Sequence, residues 1–271
     1  MQTIALSERN IRRNRERIAA ESNDLAEFFR RFPEREWLLI GAGPSLDASW
    51  NEIARRAAGG ARMAVVDQSV AAVLAYGLEP DAVFTCEPRP FPYFSSSPDR
   101  RKIARDPRKA PVLIAAANSH PLQLEQFGQG FGGDMIFLNW DWDGPRHPGL
   151  QALPPGGNVF NFMLASLGAR SSNRLRCFGN DYAAGPGTFY ARGVAANEYH
   201  RHRRLRHRCW NLETYYQKIL HALPEKPDAP RSIRCTAAFL QYEAWQNQYT
   251  ELLRRAGVAV ILDGRTQTNF E

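Results

Sequence analysis

The residues best suited to chemistry stand at the ends of short apolar runs. Gly41-Ala42-Gly43-Pro44-Ser45 follows the run Trp37–Ile40. Glycines let a backbone turn tightly and approach a ligand closely. Pro44 suits the first position of a helix, where its missing N–H is not needed. The free N–H groups and positive end of such a helix hold phosphate. Leu46 stands where GxGxxG has its third glycine, and no GK[ST] follows, so the turn is not a Walker A loop. Gly41, Gly43, Pro44 and Ser45 are expected to bind a nucleotide; the alternative is an ordinary strand–helix turn.

Asp67 ends the next apolar run, Arg62–Val66, where a dinucleotide-binding protein places its ribose-binding acid. Asp67 and Ser69 are expected to contact a nucleoside, unless Asp67 merely caps the helix beginning near Ser69. Glu87 and Asp181 end two further runs and are candidate catalytic carboxylates. Carboxylates at adjacent strand ends also hold hard cations such as Mg²⁺, but no metal site is assigned. The segment Tyr199–Arg208 contains five arginines and three histidines. It reads as an arm over an anion, a nucleic-acid contact or a solvated basic loop, with His200 as a candidate base. Trp140, Trp142, Tyr182, Phe189 and Tyr190 can stack on a base or sugar ring, or pack their loops against the sheet. His120 and His147 read as structural.

These residues need elements to position them. Apolar runs at Trp37–Ile40, Arg62–Val66, Ala82–Cys86, Val112–Ala116, Met135–Leu138, Leu175–Phe178 and Val258–Leu262 read as strands. Helices are predicted at 8–32, Ser45–Ala58, Ser69–Tyr76, Asn158–Leu167, 210–222 and 236–256. Continuous Val/Ile/Leu/Phe strands alternating with helices imply a largely parallel sheet covered on both faces. The predicted architecture is a Rossmann-like, doubly wound α/β domain over 35–271, with a helical extension over 1–34. In such a sheet ligands bind outside the carboxyl ends of the strands, which is where the candidates lie.

With 271 residues the chain can bury a large core without disulfide or metal staples. Its 35 Lys and Arg against 28 Asp and Glu give a formal charge of +7, which suits an anionic ligand. No apolar run approaches the ~20 residues of a membrane span. The Arg-rich N-terminus lacks the apolar stretch of a secretory signal. The four cysteines are far apart, with no CxxC, which argues against zinc or a disulfide framework and fits a reducing cytoplasm.

Three blocks carry a family resemblance: LLIGAGPSL at Leu38–Leu46, VVDQSVAAVLAYGLEPDAVFTCEP at Val65–Pro88, and Gly156–Gly193, which opens GGNVFNF and includes CFGND. Together they resemble the domain shared by motility accessory factor (Maf-type) glycosyltransferases and MptE-like 6-hydroxymethylpterin diphosphokinases. The resemblance implies a nucleotide at the GAGPSL turn and adds Gly157, Asn158 and Asn180 to the nucleotide-binding set. Maf-type proteins are associated with transferring sialic-acid-like sugars from CMP donors. The pterin kinases are expected to end the third strand in a DxD-like cluster for Mg²⁺ and ATP. Cys86-Glu87-Pro88-Arg89 here is closer to the Maf-type acid-Pro pair.

The leading expectation is a transferase using a nucleotide-linked, CMP-sugar-like donor. A pterin diphosphokinase is the second reading, and a non-enzymatic nucleic-acid binder the third. Few aromatics interleave with the basic segment, which argues against nucleic acid. The acceptor and oligomeric state are left open.

Overall fold

The computed structural model describes residues 2–33, 36–91, 93–94, 110–140, 146–170, 173–185, 187–197, 208–209, 212–227, 229 and 233–263. All seven predicted strands form: β1 Glu36–Ile40, β2 Arg62–Val66, β3 Ala82–Thr85, β4 Val112–Ala116, β5 Met135–Leu138, β6 Arg174–Phe178 and β7 Ala259–Leu262. They build one parallel sheet in the order β5-β4-β3-β2-β1-β6-β7. The architecture is the α/β, Rossmann-like one that the apolar strand runs predicted.

Alternate residues of each strand feed opposite cores. Trp37 and Leu39 of β1 face one side, with the helices α2 (Leu25–Arg31), α6 (Val159–Gly168) and α8 (Ala237–Arg255). Leu38 and Ile40 face the other, with α1 (Gln2–Ala20), α3 (Trp50–Ala58), α4 (Val70–Ala75) and α5 (Pro121–Phe131). A further helix, α7, spans Leu212–Leu220. Helix α6 is buried along nearly its whole length, as a helix that is apolar all round must be. The sheet lies on one side of it and α8 on the other: a Cβ on Gly168 of α6 would meet Leu253 of α8 at 2.8 Å.

Two predicted helices differ in detail. The helix expected over 8–32 is two, α1 and α2. Between them Asn23 adopts a left-handed conformation (φ 51°) and Asp24 caps α2 by accepting from Ala26 N–H. The Asn-Asp pair is a start signal that outweighs the continuous Arg/Glu/Ala composition. The helix expected from Ser45 begins instead as a 3₁₀ turn, Pro44–Ala48, followed by α3.

Helix α1 is tied to the sheet by asparagines. The Asn10 Nδ2 donates to Pro88 O (2.8 Å) and Asn118 O (3.0 Å); Asn14 Nδ2 donates to Ala117 O (3.0 Å) and Ser119 O (2.9 Å). Each thus satisfies two carbonyls just beyond β3 and β4 that no strand partner reaches. Among the described residues, no helix is long and apolar enough to cross a membrane.

Candidate functional site

From β1 the chain moves one way along the sheet, and from β6 to β7 it moves the other. The loops leaving β1 and β6 therefore border the topological switch point, where open α/β sheets bind ligands. A cleft of about 130 Å³ lies there, lined by Gly41–Gly43, Gln68, Asn158–Phe160, Gly179–Ala183, Tyr190 and Phe239.

The turn after β1 is shaped by its neighbour. Gly41 N–H donates to Phe178 O and Gly43 N–H to Gly179 O, both at 2.8 Å, so the ladder with β6 continues past the strands. A Cβ on Gly41 would lie 2.2 Å from Gly179 O, and one on Gly43 would lie 2.0 Å from Asp181 Oδ2. That same Oδ2 accepts from Ser45 N–H (3.1 Å) and Ser45 Oγ (2.8 Å). The place at the start of the 3₁₀ turn where a phosphate was expected is thus filled by the protein's own carboxylate. Gly41, Gly43 and Ser45 serve the β1–β6 junction, and buried Pro44 opens the turn. Asp181 lines the cleft, but as a cap rather than a free base. Lys226 Nζ donates to Asp181 O (3.3 Å) and to Glu243 Oε1 of α8 (2.9 Å), pinning this loop to α8.

A second N-terminus faces the cleft. Asn158 caps α6, accepting from Asn161 N–H at 2.9 Å, and the first N–H groups of a helix have no intrahelical partner. Gly157 and its neighbour Gly156 lie against α8. A Cβ on Gly157 (φ 81°) would meet the Tyr242 ring at 2.2 Å, and one on Gly156 would meet Trp245 at 2.8 Å. These glycines let α8 close over the start of α6. Tyr182 OH donates to Asn161 Oδ1 (2.7 Å), joining the β6 loop to α6.

The cleft wall carries amides and rings. Asn180 is buried; its Nδ2 donates to Gln246 Oε1 at 3.3 Å, while its Oδ1 and the buried Oε1 of Gln68 have no protein partner. Buried polar atoms without partners are costly, so a ligand or water belongs against them. Tyr190, Phe189 and Phe239 supply apolar faces. Phe239, Tyr242 and Gln246 went unrecognised in the sequence. Their i, i+3, i+7 spacing on α8 is the signal of a helix face turned inward.

Asp67 is fully enclosed: Gln68 N–H donates to Oδ1 (2.8 Å) and Thr85 Oγ1 lies 2.7 Å from Oδ2. Burial, then the nearby Glu87, pushes its acid up to about 7 against the donated hydrogen bonds. Thr85 Oγ1 is also 2.7 Å from Gln123 Oε1, whose Nε2 points to Arg89 O (3.4 Å). One hydroxyl proton cannot serve two acceptors. While Asp67 is ionised Thr85 donates to it; once Asp67 takes a proton it can donate to Thr85, which then serves Gln123. Asp67 is thus enclosed by protein and does not line the cleft. Ser69 Oγ donates to Gly41 O (2.6 Å) and holds the turn.

Glu87 is half-buried. Its Oε1 accepts from Arg89 N–H (3.0 Å), and burial raises its carboxyl above the ordinary range. It lies close enough to Tyr190 to add to the effect of burial, which together push that phenol to about 12. Glu87 does not itself line the cleft. Among the described residues no group of three or more His, Cys, Asp and Glu is placed to hold a metal.

Trp140 packs against Phe162 and Trp245 in the core, outside the cleft. His120 caps α5, its Nδ1 accepting from Leu122 N–H, and His147 is held by backbone bonds to Asn139. His200, Trp142 and the arginines of 201–206 lie outside the described residues.

No family profile matches this chain, and no curated protein matches it. A solved structure, that of a Maf glycosyltransferase from Magnetospirillum magneticum AMB-1, is similar with a TM-score of 0.43 and 18% identity. The likeness covers 59% of this chain and 28% of that one. At that score it carries no argument about function.

Proposed function

We propose that this chain is a transferase that binds a nucleotide-linked sugar, of the CMP-sugar class, in the β1–β6 cleft. The observation that carries the reading is the cleft at the switch point, where the N-terminus of α6 meets a wall of aromatic rings and of amide oxygens without protein partners. The half-buried Glu87, outside the lining, is near enough to Tyr190 of that wall for their charges to interact. The α6 N–H groups hold the phosphate. Asn180 and Gln68 accept hydrogen bonds from the base or sugar, and Tyr190 and Phe239 cover its flat faces. Glu87, raised by burial, takes the proton of an acceptor hydroxyl as the new C–O bond forms. The sugar–phosphate bond breaks, and the nucleotide leaves with the electron pair and its negative charge. The CMP preference comes from the sequence resemblance alone.

The test is a thermal-shift and calorimetric screen of the full chain against CMP, UDP, GDP, ATP and hydroxymethyldihydropterin. CMP is expected to stabilise most, with Asn180→Ala weakening its binding about tenfold, the loss of one buried hydrogen bond. Stabilisation by ATP with the pterin, and AMP release, would move the chain to the diphosphokinases. No response to any nucleotide would end the reading.

A further inference from the structure

We infer that Gln246 of α8 is a positioning residue for ligand selection: it holds the Asn180 amide by its nitrogen, leaves the amide oxygen to the cleft, and so makes this wall take an amino group of a base and reject a carbonyl.

This rests on the nucleotide reading of the cleft and names the feature of the base that is read. Asn180 lines the cleft and is 4% exposed, whereas Gln246 is fully buried and does not line it. Asn180 Nδ2 donates to Gln246 Oε1 at 3.3 Å. The nitrogen and oxygen of a primary amide lie on opposite sides of its axis, so fixing one sets the other. With Nδ2 committed to α8, Asn180 Oδ1 is left buried with no partner among the described residues. An acceptor in that state is costly until a donor meets it. Gln68 Oε1, on the same cleft, is a second buried acceptor without a partner among them. The Asn161 amide, by contrast, is spent on protein. Its Nδ2 donates to Gly156 O (2.6 Å) and Tyr242 O (3.0 Å), and its Oδ1 accepts from Tyr182 OH (2.7 Å).

Gln246 is held in place by the helix that carries it. On one side α8 is pinned by Lys226 on Glu243 (2.9 Å) and by Asn161 on Tyr242 O, and on the other by Leu253 packed against Gly168. One turn beyond Gln246, the buried Thr250 Oγ1 also has no partner among the described residues. It shares the face of Gln246 and offers the free Nε2 an acceptor, which keeps the Gln246 oxygen turned to Asn180. The hydrogen bonds then run in one direction and end in an acceptor at the cleft. A base with an exocyclic amino group satisfies that acceptor. A base with a carbonyl in the same place sets two acceptors against each other, and Asn180 cannot turn its nitrogen outward without giving up Gln246.

The test is calorimetric titration of the full chain with CMP and with UMP, whose ring carries a carbonyl where that of CMP carries the amino group. The parent is expected to bind CMP about tenfold more tightly than UMP, the worth of one buried hydrogen bond. Gln246→Met keeps the side-chain length but has no oxygen. It frees Asn180 to turn, and the ratio should fall to within about twofold, chiefly because UMP gains. Gln246→Glu still offers Asn180 an oxygen and should keep the ratio. Asn180→Asp presents an oxygen whichever way it turns; it should keep CMP ahead, and adding Gln246→Met to it should leave the ratio unchanged. A Gln246 that only braced α8 would lower both affinities together and leave the ratio alone. The inference is overturned if Gln246→Met keeps the parent's ratio, or if Gln246→Glu loses it. Should Gln246→Met fail to fold, Gln246→Glu and Asn180→Asp decide, and indifference of either to the two bases overturns it. A parent that binds UMP as tightly as CMP also overturns it and leaves the nucleotide reading standing. Binding of neither ends both.

Discussion

Replacing Asp67 by Asn should stabilise this protein at alkaline pH, although it alters a fully buried residue. The acid of Asp67 is raised from 3.8 to about 7 in the folded chain. A folded-state pKa above the unfolded one means that the native state binds the proton more tightly. The resulting stability is complete below about pH 4, declines from there upward, and is gone once the pH passes the folded value near 7. About 3 units at 1.36 kcal/mol each come to about 4 kcal/mol lost between pH 4 and 8. Asparagine mimics the protonated acid: its Oδ1 can accept from Gln68 N–H, and its Nδ2 can donate to Thr85 Oγ1, which then serves Gln123. D67N should therefore keep at pH 8 most of what the parent loses, a melting temperature roughly 10 °C higher at 2–4 °C per kcal/mol. Glu87 and Glu21 are also raised by burial and add a pH slope of the same sign. Both are present in parent and variant, so most of the difference comes from Asp67, with a smaller part from Glu87, whose charge it feels. Calorimetric melting of both from pH 5 to 8 is the assay. A variant less stable than the parent at pH 8, or parallel pH profiles, would refute the shared-proton chain.

Two further substitutions probe the junctions. Gly43→Ala places a methyl group on Asp181 Oδ2 and should expel that carboxylate from Ser45. The loss of two charge-assisted bonds costs about 3 kcal/mol, read as a lower urea midpoint with weakened CMP binding. Stability equal to the parent's would show that the cap is unimportant. Asn14→Ala leaves the carbonyls of Ala117 and Ser119 without their donor and should cost about 2–4 kcal/mol. Hydrogen exchange should then show α1 opening before the sheet; uniform loss of protection would mean that α1 is not anchored by this residue.

Much of the fold was legible because parallel strands buried on both faces must be continuous apolar runs, and such runs need no knowledge of their neighbours. All seven lay within a residue or two of their final bounds. The break between α1 and α2 was also legible, in Asn23-Asp24, but helix-forming composition on both sides masked it. The start of α6 at Asn158 was readable as a cap followed by an apolar stretch.

The candidate site was legible only as a set of strand ends. Local sequence decides that Gly41 and Gly43 make a tight turn and that Asp67, Glu87 and Asp181 stand at the ends of strands. It cannot decide what fills the space beside them, because that depends on segments far along the chain. Asp181 lies 136 residues beyond Ser45, yet its carboxylate occupies the turn's anion position. Tyr242 and Trp245 claim Gly157 and Gly156 from the other end of the molecule. Thr85, itself bonded to Gln123, closes over Asp67. Strand and turn arise from short-range sterics and apolar periodicity, whereas occupancy and charge state arise from burial. Only the assembled sheet, with α1 and α8 in place, sets which groups lose their water and which are left facing a ligand.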